Sequence, residues 1–230
     1  MCGRFEIHST LDIIARIFQI DDLAFDLKPS YNIAPSQQIA VVVNDGRNRL
    51  VPCRWGFVPH WSRDLKTGYR MINARAETVA GNRAFKAAFE NSRCLVVADG
   101  FYEWNRKDAA KKPFYIRLKS GSPMGFAGLY NTWTSPEGEK VCTCAIITTD
   151  ADELLAPLHP RMPVITPEEK FALWLDPSVH GKDALLPLLK PFPSGLIEFY
   201  AVTPKVNSYK YNAPENIMPV ARGARDSPLR

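Results

Sequence analysis

Arg93-Cys-Leu-Val-Val-Ala98, Phe101-Tyr-Glu-Trp-Asn105, Pro113-Phe-Tyr-Ile-Arg-Leu-Lys119, Met124-Gly-Phe-Ala-Gly-Leu-Tyr-Asn-Thr132 and Lys140-Val-Cys-Thr-Cys-Ala-Ile-Ile-Thr-Thr149 follow one another with only short polar breaks. Each run is rich in aliphatic and aromatic residues and has the length of a strand. Turn residues such as Ser135-Pro-Glu-Gly138 separate them. Breaks this short suit hairpins, whereas parallel neighbours need crossovers of a dozen residues or more. The middle of the chain therefore predicts a mainly antiparallel sheet or barrel.

The same pattern extends outward. Gln38 to Asn44 reads as a strand closed by the turn signal Asn44-Asp45-Gly46, with a return strand over Val51 to Val58, and Ile197 to Val202 is a final strand. Helical spacing is confined to short pieces. Thr10 to Gln19 carries Leu11, Ile14, Ile17 and Phe18 on one side, and Ala84 to Glu90 carries Phe85 and Phe89. Thr166-Pro167-Glu168-Glu169 has the pattern of a helix start, with Thr as cap, Pro next and Glu three after the cap. There are no repeats, low-complexity blocks or linkers. These readings predict an α+β fold, a mainly antiparallel sheet or barrel with short peripheral helices. One domain is expected over 1–230, its core at about 2–204, with an irregular tail whose last eight or so residues lack fixed structure.

Composition excludes several classes. A hydrophobic share of 46% and a charged share of 23% are ordinary for a globular chain. No apolar run reaches the eighteen residues a membrane span needs. Met1-Cys2-Gly3-Arg4-Phe5-Glu6 lacks the basic-then-apolar pattern of a secretory signal, so a cytoplasmic location is expected. The five cysteines at 2, 53, 94, 142 and 144 are odd in number and contain no C-x-x-C spacing. They predict neither a disulfide framework nor a metal site. Cys142 and Cys144, two apart in a strand, should face one side of a sheet as small buried thiols. A net charge of +5 is compatible with a phosphate-bearing partner without demanding one.

Cys2 is the most informative position. Removal of Met1 exposes an α-amine and a thiol on adjacent carbons. The amine condenses with an aldehyde, and the thiol closes on the same carbon to a five-membered thiazolidine. Near neutral pH roughly a tenth of an unperturbed α-amine is unprotonated and a few per cent of an unperturbed thiol is thiolate, so both nucleophiles are available once an aldehyde is held close. Three further constellations carry polar chemistry. Asn73-Ala-Arg-Ala-Glu-Thr78 clusters an amide, a guanidinium and a carboxylate. Asp99-Gly-Phe-Tyr-Glu-Trp104 sets Glu103 between two aromatics, where desolvation should raise its pKa and suit it to acid/base work. Pro157-Leu-His-Pro-Arg-Met-Pro163 stiffens a loop that carries a histidine beside an arginine.

Taken in order, Cys2-Gly-Arg-Phe5, Tyr31-Asn-Ile-Ala-Pro35, Trp55-Gly-Phe-Val-Pro-His-Trp61, Asn73-Ala-Arg-Ala-Glu-Thr78, Gly100-Phe-Tyr-Glu-Trp104, Phe126-Ala-Gly-Leu129, Ile146-Ile-Thr-Thr149 and His159-Pro-Arg-Met-Pro163 resemble the SRAP family, the SOS-response-associated peptidases, whose members include sensors of abasic DNA. The resemblance spans Cys2 to about Pro204. It implies that Cys2 forms a thiazolidine crosslink to an abasic site in single-stranded DNA, and that Asn73 holds the sugar and the crosslink. By the same resemblance Glu103 assists ring opening and self-processing, and His159 moves protons during Schiff-base chemistry and reversal. It also implies that Arg4, Arg75 and Arg161 contact phosphates and that Trp61 and Trp104 wall the strand's groove. No cofactor is implied. The expected partner is single-stranded DNA bearing abasic sites, with no membrane, a monomeric state, and nucleoid association in a bacterium.

Two features depart from the simplest form of this reading. Pro160 follows the histidine where many family members carry aspartate, and the chain begins at Met1, which must leave before the amine can react. Two other readings compete. An N-terminal-nucleophile Cys amidohydrolase also begins Met-Cys-Gly, and a non-covalent single-stranded nucleic-acid binding module could use the same basic groove.

Overall fold

The computed structural model describes residues 2–23, 26–105 and 111–220, so the expectation for the last eight residues lies outside the described part. The chain opens with β1 (Phe5–Ile7), α1 (Leu11–Phe18), β2 (Asp22–Leu23), β3 (Ser30–Ile33), β4 (Gln38–Asn44) and β5 (Asn48–Trp55). Next come β6 (Asn73–Arg75), α2 (Lys86–Asn91), β7 (Arg93–Ala98), β8 (Gly100–Trp104), β9 (Pro113–Leu118), β10 (Met124–Thr134) and β11 (Lys140–Asp150). The last elements are β12 (Arg161–Pro163), β13 (Ile165–Thr166), α3 (Phe171–Leu175), α4 (Lys182–Leu185) and β14 (Ile197–Ala201). Among these residues no helix is long and apolar enough to cross a membrane.

The predicted antiparallel sheet or barrel is present as both. Strands β5, β4, β7, β10 and β11 pair in sequence, each antiparallel to the next. A short parallel contact, Thr143 opposite Arg54, joins β11 back to β5 and closes the ring. Closure removes free edges and explains why β7 is buried along its whole length. A second antiparallel sheet runs β14-β9-β8-β1-β3. Among the small strands that were not legible as strands, β6 adds in parallel to β11, β12 adds antiparallel to it, and β13 pairs with β10. Each is only two or three residues long, too short to show an alternating pattern.

Phe5 ties the two sheets together. Its ring is fully buried, 5.1 Å from Trp55 and 6.1 Å from Phe126, both edge-on, and Phe101 packs on Phe126 from the next strand. On the far side of the barrel, Phe18 of α1 stacks on Phe171 of α3 at 4.9 Å. Arg93 at the head of β7 donates to five carbonyls, those of Phe89 and Glu90 in α2 and of Trp174, Asp176 and Val179 in and beyond α3. One buried guanidinium thus satisfies carbonyls at the ends of two helices and balances their negative poles.

Three expectations need correction. The turn after β4 is closed by the pair Asn44 and Asn48, so β5 begins three residues earlier than expected; it stops at Trp55 because Gly56 turns with φ 134°. A Cβ on Gly56 would sit 2.6 Å from the Gly68 carbonyl oxygen, so glycine there also permits two backbones to touch. Thr166 does not cap a helix: it ends β13 opposite Gly125, and its buried hydroxyl makes no bond to the turn that leads into α3. Finally, Cys142 is not a free thiol. It forms a disulfide with Cys53, their Cα atoms 4.7 Å apart, because the parallel β5–β11 contact sets them opposite each other across 89 residues of sequence. Cys144, on the same strand, keeps the expected role of a buried thiol.

Truncating the buried ring that joins the sheets should cost on the order of 3–5 kcal/mol, the range for Phe to Ala in a packed core. Phe5→Ala should therefore lower the urea unfolding midpoint while leaving the slope of the transition unchanged. A midpoint equal to that of the unmodified protein would show that Phe5 does not carry this contact.

Candidate functional site

The site lies where the two sheets meet at the chain's N-terminus. Pairing of β1 with β8, Phe5 opposite Phe101, is extended by Tyr102 N–H donating to the Arg4 carbonyl at 2.9 Å. Continued toward the N-terminus, this register brings Gly3 and Cys2 alongside Glu103. Cys2 is fully buried, and burial, reinforced by the nearby Glu103 charge, pushes its thiol far above the ordinary value. The few per cent of thiolate expected for an unperturbed cysteine is therefore not available here.

Asn73 reaches Cys2 from the other sheet. Its strand, β6, lies parallel to β11 with Asn73 opposite Ile146. Its Nδ2 donates to the Cys2 carbonyl at 2.8 Å. Its Oδ1 is buried and accepts no hydrogen bond among the described residues, which leaves an acceptor for a bound molecule. His159 approaches from the start of β12. The ring is 4% exposed and shares a narrow cleft with Glu103, Phe101, Arg161 and Met162. The Arg161 amide N–H points at Nδ1 from 2.9 Å. Nδ1 also lies 3.0 Å from the Arg161 carbonyl, so an unprotonated Nδ1 accepts from the amide and a protonated one donates to the carbonyl. Pro160 lies between His159 and Arg161 and has no N–H, so this contact with the ring comes from Arg161 alone. Asn73 on β6 and Glu103 on β8 thus meet the N-terminal cysteine, and His159, in the loop that leads into β12, shares its cleft with Glu103.

The residues expected to contact DNA fall into two groups. Arg75 and Trp61 are open to solvent: the Arg75 side chain has no hydrogen bond or ion pair among the described residues, and Trp61 is 53% exposed with Arg83 over its ring at 5.8 Å. Arg4, Arg161 and Trp104 are engaged by the protein itself. Arg4 donates to Asn32 Oδ1 at 2.7 Å and the Val206 carbonyl at 2.8 Å and lies over Trp104, whose indole N–H donates to Asn207. Arg161 forks onto Glu77 and also reaches Asp150. Sequence reasoning did not single out Glu77 or Asp150. Glu77 sits two residues after Arg75 in a motif already noted, but its partner is 84 residues away and left no local signal.

One other polar cluster stands at the opposite end of β1. Glu6, His8 and Asp99 offer ligand atoms within 4.8 Å of one another, the geometry of a metal site. Each is already satisfied. Glu6 accepts from Tyr115 Oη at 2.5 Å and pairs with His8 at 2.9 Å, and Asp99 accepts from the amides of His8 and Ser9 and from the Ser9 hydroxyl. Its hydrogen bonds hold the turn between β1 and α1.

The sequence profile of the SOS response associated peptidase (SRAP) family matches residues 1–209. The chain belongs to the SRAP family. Among its relatives is the abasic site processing protein YoqW of Bacillus subtilis, 47% identical over 221 residues, which span 94% of this chain and 99% of that one. The abasic site processing protein YedK of Escherichia coli is 30% identical over 96% of this chain and all of its own length. The abasic site processing protein HMCES of Rattus norvegicus is 30% identical over 95% of this chain and 76% of that one. A solved structure from Bacteroides thetaiotaomicron superposes with a TM-score of 0.85 at 25% identity, covering 96% of this chain and 100% of that one.

The Asn73 contact should control access to the cysteine. Losing one hydrogen bond of about 1 kcal/mol would raise the population of an open N-terminus roughly fivefold. Asn73→Ala should thus speed iodoacetamide labelling of Cys2 in the folded protein by about that factor, read by mass spectrometry. Cys94 and Cys144, buried elsewhere in the core, should stay protected. Equal Cys2 labelling in both proteins would remove Asn73 as the latch.

Proposed function

We propose that this protein processes abasic sites in DNA by covalent capture through Cys2 once Met1 has been removed. The observation that carries the reading is the hydrogen bond from Asn73 to the Cys2 carbonyl, which holds the cysteine near Glu103, itself a wall of the cleft that His159 shares. The names of the SRAP relatives, abasic site processing proteins from bacteria and mammals, support the same reading.

The chemistry follows from the two nucleophiles. The freed α-amine adds to the aldehyde carbon of the ring-opened deoxyribose, and loss of one water leaves an imine. The Cys2 Sγ–H then adds across the C=N bond: sulfur bonds to carbon, the proton goes to nitrogen, and a thiazolidine results. In this order the amine creates the imine carbon on which the neighbouring thiol closes the ring. Glu103 moves the proton during sugar ring opening, and His159 exchanges a proton with the Schiff-base nitrogen and catalyses reversal. The buried Asn73 Oδ1 is available to accept the thiazolidine N–H.

The strand is single-stranded DNA held through its backbone. Arg75, Arg161 and Arg4 supply positive charge, and Trp61 and Trp104 supply flat apolar faces, a combination that ignores sequence. An abasic nucleotide has no base to unstack, so bringing its sugar into the cleft costs less than flipping an intact residue. Self-processing of the N-terminus would use the same cysteine and glutamate.

Two gels separate the steps. Protein whose free Cys2 amine is confirmed by intact mass should form a band that survives denaturation with an abasic strand and not with an intact one. Cys2→Ala keeps an α-amine and loses the thiol, so it should give a band only when borohydride reduces the imine. No stable band from the processed wild-type protein would sink covalent capture. A stable band from Cys2→Ala without borohydride would sink the thiazolidine.

A further inference from the structure

Arg161 is the one arginine of the cleft whose donors are nearly all spent. Nη1 donates to Glu77 Oε1 at 2.6 Å and to Asp150 Oδ1 at 2.7 Å. Nη2 donates to Glu77 Oε2 at 3.0 Å and to the Thr148 carbonyl at 2.6 Å. Each terminal nitrogen has two N–H groups, so both are full. The remaining donor, Nε, is buried. A phosphate cannot bond to this guanidinium until one of its present partners lets go.

The three partners differ in how firmly they hold. Thr148 O is a backbone acceptor in β11 that also receives the Ala76 amide. Glu77 grips with both oxygens, the geometry that fixes a guanidinium plane, and its carboxyl is held below the ordinary range by that hydrogen bond. Asp150 makes a single bond, its side chain is 80% exposed, and it has no other side-chain partner among the described residues. Its release is the least costly of the three, since an exposed ion pair contributes little.

We propose that Asp150 is a specificity-determining residue that masks Arg161, so that a phosphate of the DNA backbone must replace the Asp150 carboxylate to reach the guanidinium. This rests on the reading of Arg161 as a phosphate contact. Glu77 keeps the guanidinium plane fixed while Asp150, the most exposed of the three partners, occupies the second Nη1 donor. The exchange lowers the net gain from every phosphate that passes, whether or not the strand is damaged. Intact DNA, held only by such contacts, leaves sooner; an abasic strand is retained by the covalent bond, which the mask does not weaken. Discrimination thus shifts from ground-state affinity to chemistry.

Fluorescence anisotropy with a labelled oligothymidine strand at about 0.15 M salt tests this, since screening there confines charge effects to near neighbours. Asp150→Asn should bind about two- to fivefold tighter than wild type, the equivalent of one exposed ion pair. Glu153→Gln removes the same charge from an exposed position three residues on, outside any contact with Arg161, and should bind as wild type does. The gain from Asp150→Asn should disappear when Arg161 is also changed to Ala. Unchanged or weaker binding by Asp150→Asn, an equal gain from Glu153→Gln, or a gain that persists without Arg161 would each overturn the proposal. Intact DNA cannot crosslink, so these results stand apart from covalent capture, which fails or survives on the gels. If Arg161→Ala alone leaves affinity unchanged, Arg161 is not a phosphate contact and the mask falls with it.

Discussion

Everything at this site depends on where Phe5 is buried. Chain termini fray unless something holds them, and a reactive N-terminal residue cannot be on a frayed end. Phe5 is three residues from Cys2 and packs on Trp55 and Phe126 of the barrel, with Phe101 of β8 against Phe126 in turn. A three-residue arm spans about 10 Å at most, so anchoring Phe5 confines Cys2 to a small region before any polar contact is made. Arg4 tightens the arm further. It is bound to Asn32, whose amide in turn donates to the carbonyls of Ser208 and Tyr211, so the far end of the described chain braces the first residues.

Confinement has a chemical consequence. Burial disfavours thiolate, which would disable an ordinary cysteine nucleophile. An N-terminal cysteine escapes this limit because its partner nucleophile is an amine on the next carbon. Once the amine holds the aldehyde carbon, ring closure is intramolecular, and effective concentration replaces intrinsic nucleophilicity. A cysteine unsuited to attack alone is thus suited to attack second.

The legibility of this protein in its sequence follows the range of its interactions. Strands β4, β7, β9, β10 and β11 could be read because each carries five or more residues of pattern within itself. Strands β6 and β12, which carry Asn73 and lead from His159, could not, because they exist only as additions to β11. The candidate site residues could nonetheless be named from the sequence, since the ordered motifs from Cys2 to His159 resemble one family. The hydrogen-bond partners of those residues were hidden: Asn73 with Cys2, 71 residues apart, and Arg161 with Glu77, 84 apart. The Cys53–Cys142 bridge escaped for the same reason. Its two halves meet only because the barrel closes, and a count of five cysteines says nothing about closure.

Charge placement shows how affinity and chemistry divide their work. The net charge of +5 is modest for a protein read as holding a phosphate backbone, and two carboxylates lie directly on an arginine of its cleft. If tight binding were the aim, Glu77 and Asp150 would be poor neighbours for Arg161, since each must be outcompeted by every phosphate. They make sense where the decisive bond is covalent. Each arginine then needs to guide the strand past the cleft and release it, and only an aldehyde meeting the Cys2 amine converts a passing contact into a lasting one. A stronger electrostatic grip would lengthen the time spent on undamaged DNA without making the covalent step more selective.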